Sequence, residues 1–121
     1  MPKRFLVVDD SAPVLNSVKF IIESVPDWVV AGEAYNGREG IDKVALVNPD
    51  MVLLDLSMPV MNGLDAAREL SRIRPDLPVV MFTDSTEITR EALLCGCRGV
   101  ISKTQILSLI SLIHDIFAKA A

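Results

Sequence analysis

Short apolar runs alternate with longer apolar stripes along this chain. Five short runs rich in Val, Ile, Leu and aromatic residues predict β-strands, and they cover residues 4–8, 28–34, 51–54, 79–82 and 100–101. After each run, apolar residues recur every three or four positions, which predicts a helix. Five βα units of this kind form a parallel sheet with helices on both faces.

Turn-forming and capping residues set the limits of the predicted helices. Ser11 is a candidate N-cap of the first helix, and Pro26 ends that helix. Pro75 lies beyond the third helix, and Gly96 is a candidate C-cap of the fourth. The spacing of apolar residues predicts the last helix over 105–118.

The predicted fold is a single α/β domain over residues 1–121. Five strands favour a flavodoxin-like, doubly wound parallel sheet in the order 2-1-3-4-5 with five helices. A domain of 121 residues buries roughly two-thirds of its unfolded surface. Half of the residues are hydrophobic and 23% are charged, which argues against disorder. No repeat, linker or low-complexity segment divides the chain.

Charge and hydropathy exclude two classes of partner. The net charge is −4 and no basic run is present, which argues against direct contact with nucleic acid. No apolar stretch approaches the ~20 residues that a membrane span needs. The apolar run 5–8 is too short for a signal peptide. We therefore expect a cytoplasmic protein.

The two cysteines do not form a zinc site. Cys95 and Cys97 make a C-x-C pair, and the chain has no other cysteine and one histidine. Four zinc ligands cannot be completed from this set. We expect two small, partly buried residues on either side of Gly96.

Reactive side chains end four of the five predicted strands. Asp9 and Asp10 follow the first strand, Asp55 the third, Thr83 the fourth and Lys103 the fifth. The second strand, which is expected at the sheet edge, has no such residue. Because ligands bind beyond the carboxyl ends of parallel strands, we expect these side chains to converge.

Taken singly, most of these residues have a simpler explanation. Asp9 or Asp10 also fits helix capping or solvation, Thr83 fits an N-cap, and Lys103 fits a solvated amine. Asp55 is harder to explain in this way, because the next predicted helix starts several residues later.

The predicted cluster suits phosphoryl transfer. Three neighbouring carboxylates repel one another unless a cation lies between them. Oxygen ligands select Mg²⁺ or Ca²⁺, and a site open to phosphate favours Mg²⁺. A carboxylate can also attack phosphorus to give an aspartyl phosphate. Mg²⁺, Lys103 and Thr83 could then each neutralise one phosphoryl oxygen.

The chain resembles the receiver domains of two-component response regulators. Five segments carry the resemblance: 6–11 (LVVDDS), 53–59 (LLDLSMP), 61–63 (MNG), 80–83 (VMFT) and 99–103 (GVISK). The resemblance implies that Asp55 is the phosphoacceptor and that Thr83 and Lys103 contact the phosphoryl group. It also implies a set of Mg²⁺ ligands: Asp9, Asp10, Asp55 and the backbone carbonyl of Ser57.

The resemblance further implies a partner and a limited chemistry. The usual donor is a phosphohistidine on a sensor histidine kinase or a phosphotransfer protein. The domain catalyses its own phosphorylation and slow dephosphorylation, without turnover of a separate substrate.

Three residues depart from the commonest family pattern. Val100 replaces the usual Tyr or Phe, which excludes a ring-flip readout and leaves switching to the Thr83 loop and the fourth helix. Asp84 replaces Ala or Gly and adds a negative charge near an incoming dianion. Thr104 replaces the usual Pro, so a cis bond is not expected. Lys-Thr here resembles receivers of LuxR-type regulators.

The last helix carries two apolar residues off its core-facing stripe, Leu107 and Leu112. They fit either a generously buried helix or a homodimer surface formed with the first or fourth helix. We expect a receiver that is free or cut from a longer regulator.

Three alternatives remain beside the phosphoacceptor. A pseudo-receiver would act as a phosphorylation-independent binding module, but the full set of acids, Thr83 and Lys103 argues against it. A haloacid-dehalogenase-type phosphatase would need a D-x-D pair and a cap domain. A flavodoxin would need a phosphate loop after the first strand, where Asp9 and Asp10 would instead repel phosphate.

Overall fold

The structure is a computed structural model that describes residues 2–84 and 86–120. It contains a five-stranded parallel sheet in the order β2-β1-β3-β4-β5, so the predicted doubly wound α/β fold is confirmed. The strands are β1 Lys3–Val8, β2 Trp28–Ala34, β3 Met51–Asp55, β4 Val79–Thr83 and β5 Gly99–Ser102.

Five α-helices cover the two faces of the sheet. They are α1 Ala12–Glu23, α2 Gly37–Val47, α3 Gly63–Ile73, α4 Thr89–Leu94 and α5 Leu109–Ala120. None of these described helices is long and apolar enough to cross a membrane.

The predicted start of the last helix was wrong. Residues Lys103–Ser108 form a 3₁₀ segment, and α5 begins only at Leu109. The Ser102 hydroxyl accepts a hydrogen bond from the Thr104 N–H at 3.2 Å, and Gln105 has non-helical φ and ψ of −114° and 32°. This local side-chain bond competes with regular helical hydrogen bonding at the start of the segment.

Side-chain caps begin α1, α2 and α3, whereas α4 follows Ile88 without a side-chain cap. The Ser11 hydroxyl accepts from the Val14 N–H at 3.4 Å, which confirms Ser11 as the N-cap of α1. Asparagine side chains cap α2 and α3 in the same way, at Asn36 and Asn62. The C-cap of α4 is Cys95 and not the predicted Gly96, which comes next with a φ of 101°, a value that glycine adopts without strain.

The core lies in two layers, one on each face of the sheet. Side chains alternate along each strand, so Leu6 and Val8 contact the α2, α3 and α4 side, whereas Phe5 and Val7 contact the α1 and α5 side. Both faces of β1, β3 and β4 are therefore covered, which explains their continuous apolar runs. The polar strand ends are left together at one edge.

The cysteines and the extra leucines occupy different surroundings. Cys95 and Cys97 are free, and they are buried in the core rather than partly buried as predicted. Burial, together with the neighbouring Cys95, raises the pKa of the Cys97 thiol to about 12, so this thiol stays protonated. Leu107 is 84% exposed, whereas Leu112 is half-buried and packs beside Gly99 of β5, which fits the predicted alternative of a generously buried helix.

Candidate functional site

Strand register brings the predicted residues to one edge of the sheet. In the β1–β3 ladder, the residue before Asp9 pairs with the residue before Asp55. In the β4–β5 ladder, Thr83 pairs with the residue before Lys103. Because β1, β3, β4 and β5 are consecutive neighbours, their carboxyl ends form one continuous rim.

A single lysine joins two buried carboxylates at this rim. Lys103 Nζ lies 3.0 Å from Asp9 Oδ2 and 3.1 Å from Asp55 Oδ1. Asp9 is fully buried, Asp55 is 4% exposed, and the Lys103 side chain is 19% exposed. Such a buried charge group is costly unless its members are paired, so these three side chains hold one another in place.

Asp9 is oriented by its own backbone neighbours. Its Oδ1 accepts a hydrogen bond from the Ser11 N–H at 2.8 Å, and its backbone N–H donates to the Ala34 carbonyl at 3.0 Å. Ser11 provides the N-cap of α1, so capping does not explain Asp9 or the exposed Asp10. Asp9 Oδ2 meets the Lys103 ammonium and no other polar group in the described part of the chain.

Three carboxylates meet here within the reach of one cation. Asp9, Asp10 and Asp55 each place an oxygen so that the three atoms lie within 4.8 Å of one another. Opposite ligands of octahedral Mg²⁺ are separated by roughly 4 Å, so small side-chain movements would close the set around that ion. Three negative charges against one Lys103 ammonium leave an excess that a divalent cation would balance. The residues therefore fit Mg²⁺.

The pKa shifts record the same electrostatic imbalance. Burial raises the pKa of Asp55, and the Asp9 charge raises it further, against the opposing effect of Lys103. Burial alone would lower the pKa of Lys103, but hydrogen bonds and charges from Asp9 and Asp55 together raise it. Lys103 therefore remains an ammonium at neutral pH, while the ionised Asp55 carboxylate lacks full compensation.

The other two predicted site residues, Thr83 and Ser57, lie near the carboxylate cluster. Thr83 is the last residue of β4 and is buried, next to the strand that ends in Asp55. Ser57 lies two residues beyond Asp55 in the loop 56–62, with an exposed side chain. The structure thus joins Asp9, Asp55 and Lys103 directly, brings an oxygen of Asp10 within 4.8 Å of the other two carboxylates, and places Thr83 on the adjacent strand end.

The conformation of the loop after Asp55 depends on backbone features of two residues that carry no reactive side chain, Gly63 and Val60. The Gly63 N–H donates to the Leu56 carbonyl at 2.8 Å, and a Cβ at Gly63 would lie 2.2 Å from the Asp55 carbonyl oxygen. Val60 has a φ of 68°, which is unfavourable for a β-branched residue. In the sequence, Gly63 appeared only as part of the segment 61–63 that carries the family resemblance. No sequence signal predicted the positive φ of Val60.

The three unusual residues lie around the site as follows. Val100 is half-buried and packs on the core beneath α2, α3 and α4. Asp84 is exposed directly after Thr83. The described peptide bonds, including Lys103–Thr104, are all trans.

Comparison with known proteins identifies the family. The family model for the response regulator receiver domain matches residues 5–114. The response regulator domain of Thermotoga maritima CheB is 34% identical, with a TM-score of 0.82, and the match covers 99% of this chain and 94% of that one. A LuxR-family response regulator from Aurantimonas is 25% identical, with a TM-score of 0.92 over 98% and 87% of the two chains.

Curated relatives agree. Chemotaxis protein CheY of Thermotoga maritima is 38% identical over 105 residues, which are 85% of this chain and 87% of that protein. A protein-glutamate methylesterase of Methanosarcina acetivorans is 41% identical over 102 residues, 84% of this chain but 29% of its own length. The chain thus spans less than a third of the methylesterase relatives that it matches. The chain belongs to the response regulator receiver family, and it is a receiver domain of two-component signalling.

Loss of the Asp55 charge should stabilise the protein when no divalent cation is present. A raised pKa means that folded Asp55 binds a proton more readily than the unfolded chain does. The free energy of unfolding therefore falls as pH rises from the ordinary value of 3.8 through the raised one, and stays lower at neutral pH. We expect Asp55→Asn to be more stable than wild type at neutral pH and to depend less on pH.

Urea unfolding in chelator across the acidic and neutral range measures this effect. Asp76→Asn, at an exposed carboxylate in the turn after α3, is the matched control and should follow wild type. An Asp55→Asn variant that is less stable than wild type at neutral pH would contradict the expectation.

Proposed function

We propose that residues 1–121 form one receiver domain in which Asp55 accepts a phosphoryl group in a Mg²⁺-dependent reaction. The observation that carries this proposal is the Lys103 ammonium between Asp9 and Asp55, beside the three-carboxylate cluster. A pseudo-receiver would have no need to hold this charge imbalance in a buried site. The membership of this chain in the response regulator receiver family also favours the phosphoacceptor function.

Each residue of the site has a role in the proposed reaction. Asp9, Asp10, Asp55 and the Ser57 carbonyl would hold Mg²⁺, which supplies positive charge to the phosphoryl oxygens when bound. The Asp55 carboxylate attacks phosphorus, and the bond from phosphorus to the donor breaks as the new O–P bond forms. No base is needed, because an ionised Asp55 already carries the electron pair.

Lys103 and Thr83 then stabilise the transferred group. Lys103 is held charged by Asp9 and Asp55, so its ammonium can turn to a phosphoryl oxygen once Asp55 is esterified. Thr83, at the neighbouring strand end, offers a hydroxyl to a second oxygen. Because Val100 has no ring to move, we propose that Thr83 and α4 report the state of Asp55 directly.

The donor follows from the family. Receiver domains of this kind interact with histidine kinases or phosphotransfer proteins. For this chain we propose a phosphohistidine on such a partner, in the cytoplasm. The net charge of −4 speaks against direct contact of this chain with nucleic acid.

Phosphorylation by a small donor tests the core of the proposal. Incubation with acetyl phosphate and Mg²⁺ should add one phosphoryl group, measured as intact mass. The gain should disappear in Asp55→Asn and in chelator, whereas the exposed-site control Asp76→Asn should behave as wild type. No gain in wild type from acetyl phosphate or from a set of sensor kinases would favour the pseudo-receiver.

Removal of the Asp84 charge should speed phosphorylation by small anionic donors. Asp84 is exposed beside Thr83, where its charge repels an incoming dianion. Loss of a repulsion on the order of 1 kcal/mol across solvent corresponds to roughly a fivefold higher rate in Asp84→Ala. Phosphorylation rates with acetyl phosphate at several ionic strengths measure this effect. Because salt screens charge, the rate difference between Asp84→Ala and wild type should shrink as ionic strength rises.

Two control variants separate the possible causes. Asp84→Asn removes the charge of Asp84 but keeps its size, and Asp76→Ala changes the net charge by the same amount at another exposed position. Asp84→Asn should match Asp84→Ala if charge is the cause, and Asp76→Ala should match wild type. Wild type reacting as fast as Asp84→Ala would show that Asp84 does not hinder the donor.

We also propose a homodimer through the last helical region. Leu107 and Phe20 are 84% and 79% exposed, and they line one apolar groove between α1 and the 3₁₀ segment before α5 together with Ile106 and Ile21. Burial of two large apolar side chains from each copy would stabilise such a pair. Ala118→Glu, at an exposed position of α5, is a control for charge.

Sedimentation equilibrium over a concentration series tests the homodimer. Wild type should associate with rising concentration, Leu107→Glu should remain a monomer, and Ala118→Glu should resemble wild type. A wild-type protein that stays monomeric throughout, phosphorylated or not, would rule this surface out.

A further inference from the structure

The second strand ends without a reactive side chain. The connection that follows it nevertheless contacts two parts of the site, Asp9 and the loop after Asp55. At its start, the Ala34 carbonyl accepts a hydrogen bond from the Asp9 N–H at 3.0 Å. At its end, the Gly37 N–H donates to the Met61 carbonyl at 3.1 Å. Residues 34–37, which we call the β2–α2 strap, thus join the Asp9 segment to the loop after Asp55.

Only glycine fits the end of this strap without displacement. Gly37 is buried at the first position of α2. A Cβ there would lie 2.7 Å from the Met61 carbonyl oxygen and 3.0 Å from both Met61 Cγ and Ala66 Cβ. The first of these atoms is backbone, so a side chain at Gly37 would push the loop and α2 apart rather than rotate a neighbouring group.

The loop 56–62 needs such support because its own conformation is strained. The Met61 N–H donates to the Pro59 carbonyl at 2.7 Å across Val60, whose φ is 68°. A tight three-residue turn of this hand is rare and unfavourable, and it persists only when surrounding contacts hold it. At its far end the loop is held on the backbone of Asp55 and Leu56 by Gly63.

We infer that Gly37 is a positioning residue for the cation site, which it serves by holding the loop that carries Ser57 at a set distance from Asp9. The inference rests on the proposed function, because it takes Ser57 and the aspartates as the Mg²⁺ ligands. Gly37 itself touches no ligand. It acts through the backbone of Met61, four residues from Ser57 along the same loop.

Calorimetric titration of the purified chain with MgCl₂ tests the inference. Outer contacts that orient metal ligands typically change affinity by 10–100-fold, so we expect Gly37→Ala to bind Mg²⁺ at least about tenfold more weakly. With acetyl phosphate, this variant should need correspondingly more Mg²⁺ for half-maximal rate and then approach the wild-type maximum. General destabilisation would not produce that split between affinity and maximal rate.

Gly32→Ala is the matched control. A Cβ at Gly32 would lie 2.9 Å from Val47 Cγ2, so the substitution disturbs the packing of the same helix α2 through a side chain and leaves the loop alone. We expect it to lower the free energy of unfolding without changing Mg²⁺ affinity.

A second variant keeps the test decisive if Gly37→Ala does not fold. Asn36→Gly removes the hydrogen bond from the Glu39 N–H to the Asn36 side chain and loosens the strap without adding an atom. Because glycine weakens a helix N-cap only slightly, we expect Asn36→Gly to bind Mg²⁺ measurably more weakly than wild type but more tightly than Gly37→Ala.

The outcomes separate the inference from the proposed function. Wild type that fails to bind Mg²⁺ overturns the proposed function and the inference with it. Wild type that binds Mg²⁺ with the same affinity as Gly37→Ala and Asn36→Gly overturns the inference alone. Weaker binding in these two variants, with Gly32→Ala unchanged, supports it.

Discussion

Repulsion among three carboxylates around one ammonium is the constraint on which this site depends. Asp9 and Asp55 are buried almost completely, and Lys103 contacts both at about 3 Å. Without Lys103, two buried negative charges would face each other in a region of low dielectric. With it, the cluster still holds an excess of negative charge. The same imbalance raises the pKa of Asp55 and suits the site to a divalent cation and then to a phosphoryl group.

The rest of the fold keeps these carboxylates close together although they repel one another. Parallel pairing delivers Asp9, Asp55 and Lys103 to one edge, and two core layers keep the strands in register. Close backbone contacts at Gly37 and Gly63 then hold the loop after Asp55 against its neighbours. Hydrophobic burial thus offsets the electrostatic cost of the site. Val60, on the exposed rim, is the one β-branched residue in the described part of the chain with a positive φ.

Prediction from sequence succeeded where a side chain both ends a strand and carries chemistry. Continuous apolar runs predicted the strands that the structure covers on both faces, β1, β3 and β4, and the residue after each run marked the site. It failed where local bonding competed with periodicity: the Ser102 hydroxyl and Gln105 turn residues 103–108 into a 3₁₀ segment despite a helical pattern. The helical stripe also left Leu112 undecided between two alternatives, because its contact beside Gly99 depends on another element, β5.

The sequence by itself determined the strand order, the residues at the strand ends and the kind of chemistry they suit, because periodicity and residue type act locally and the topology of parallel sheets is restricted. Only the tertiary structure decided that Lys103 contacts both Asp9 and Asp55, and that the β2–α2 strap is hydrogen-bonded to Asp9 and to the loop 56–62. These features depend on distances between segments far apart in the chain. Such distances follow from the packing of the whole domain and not from any local pattern.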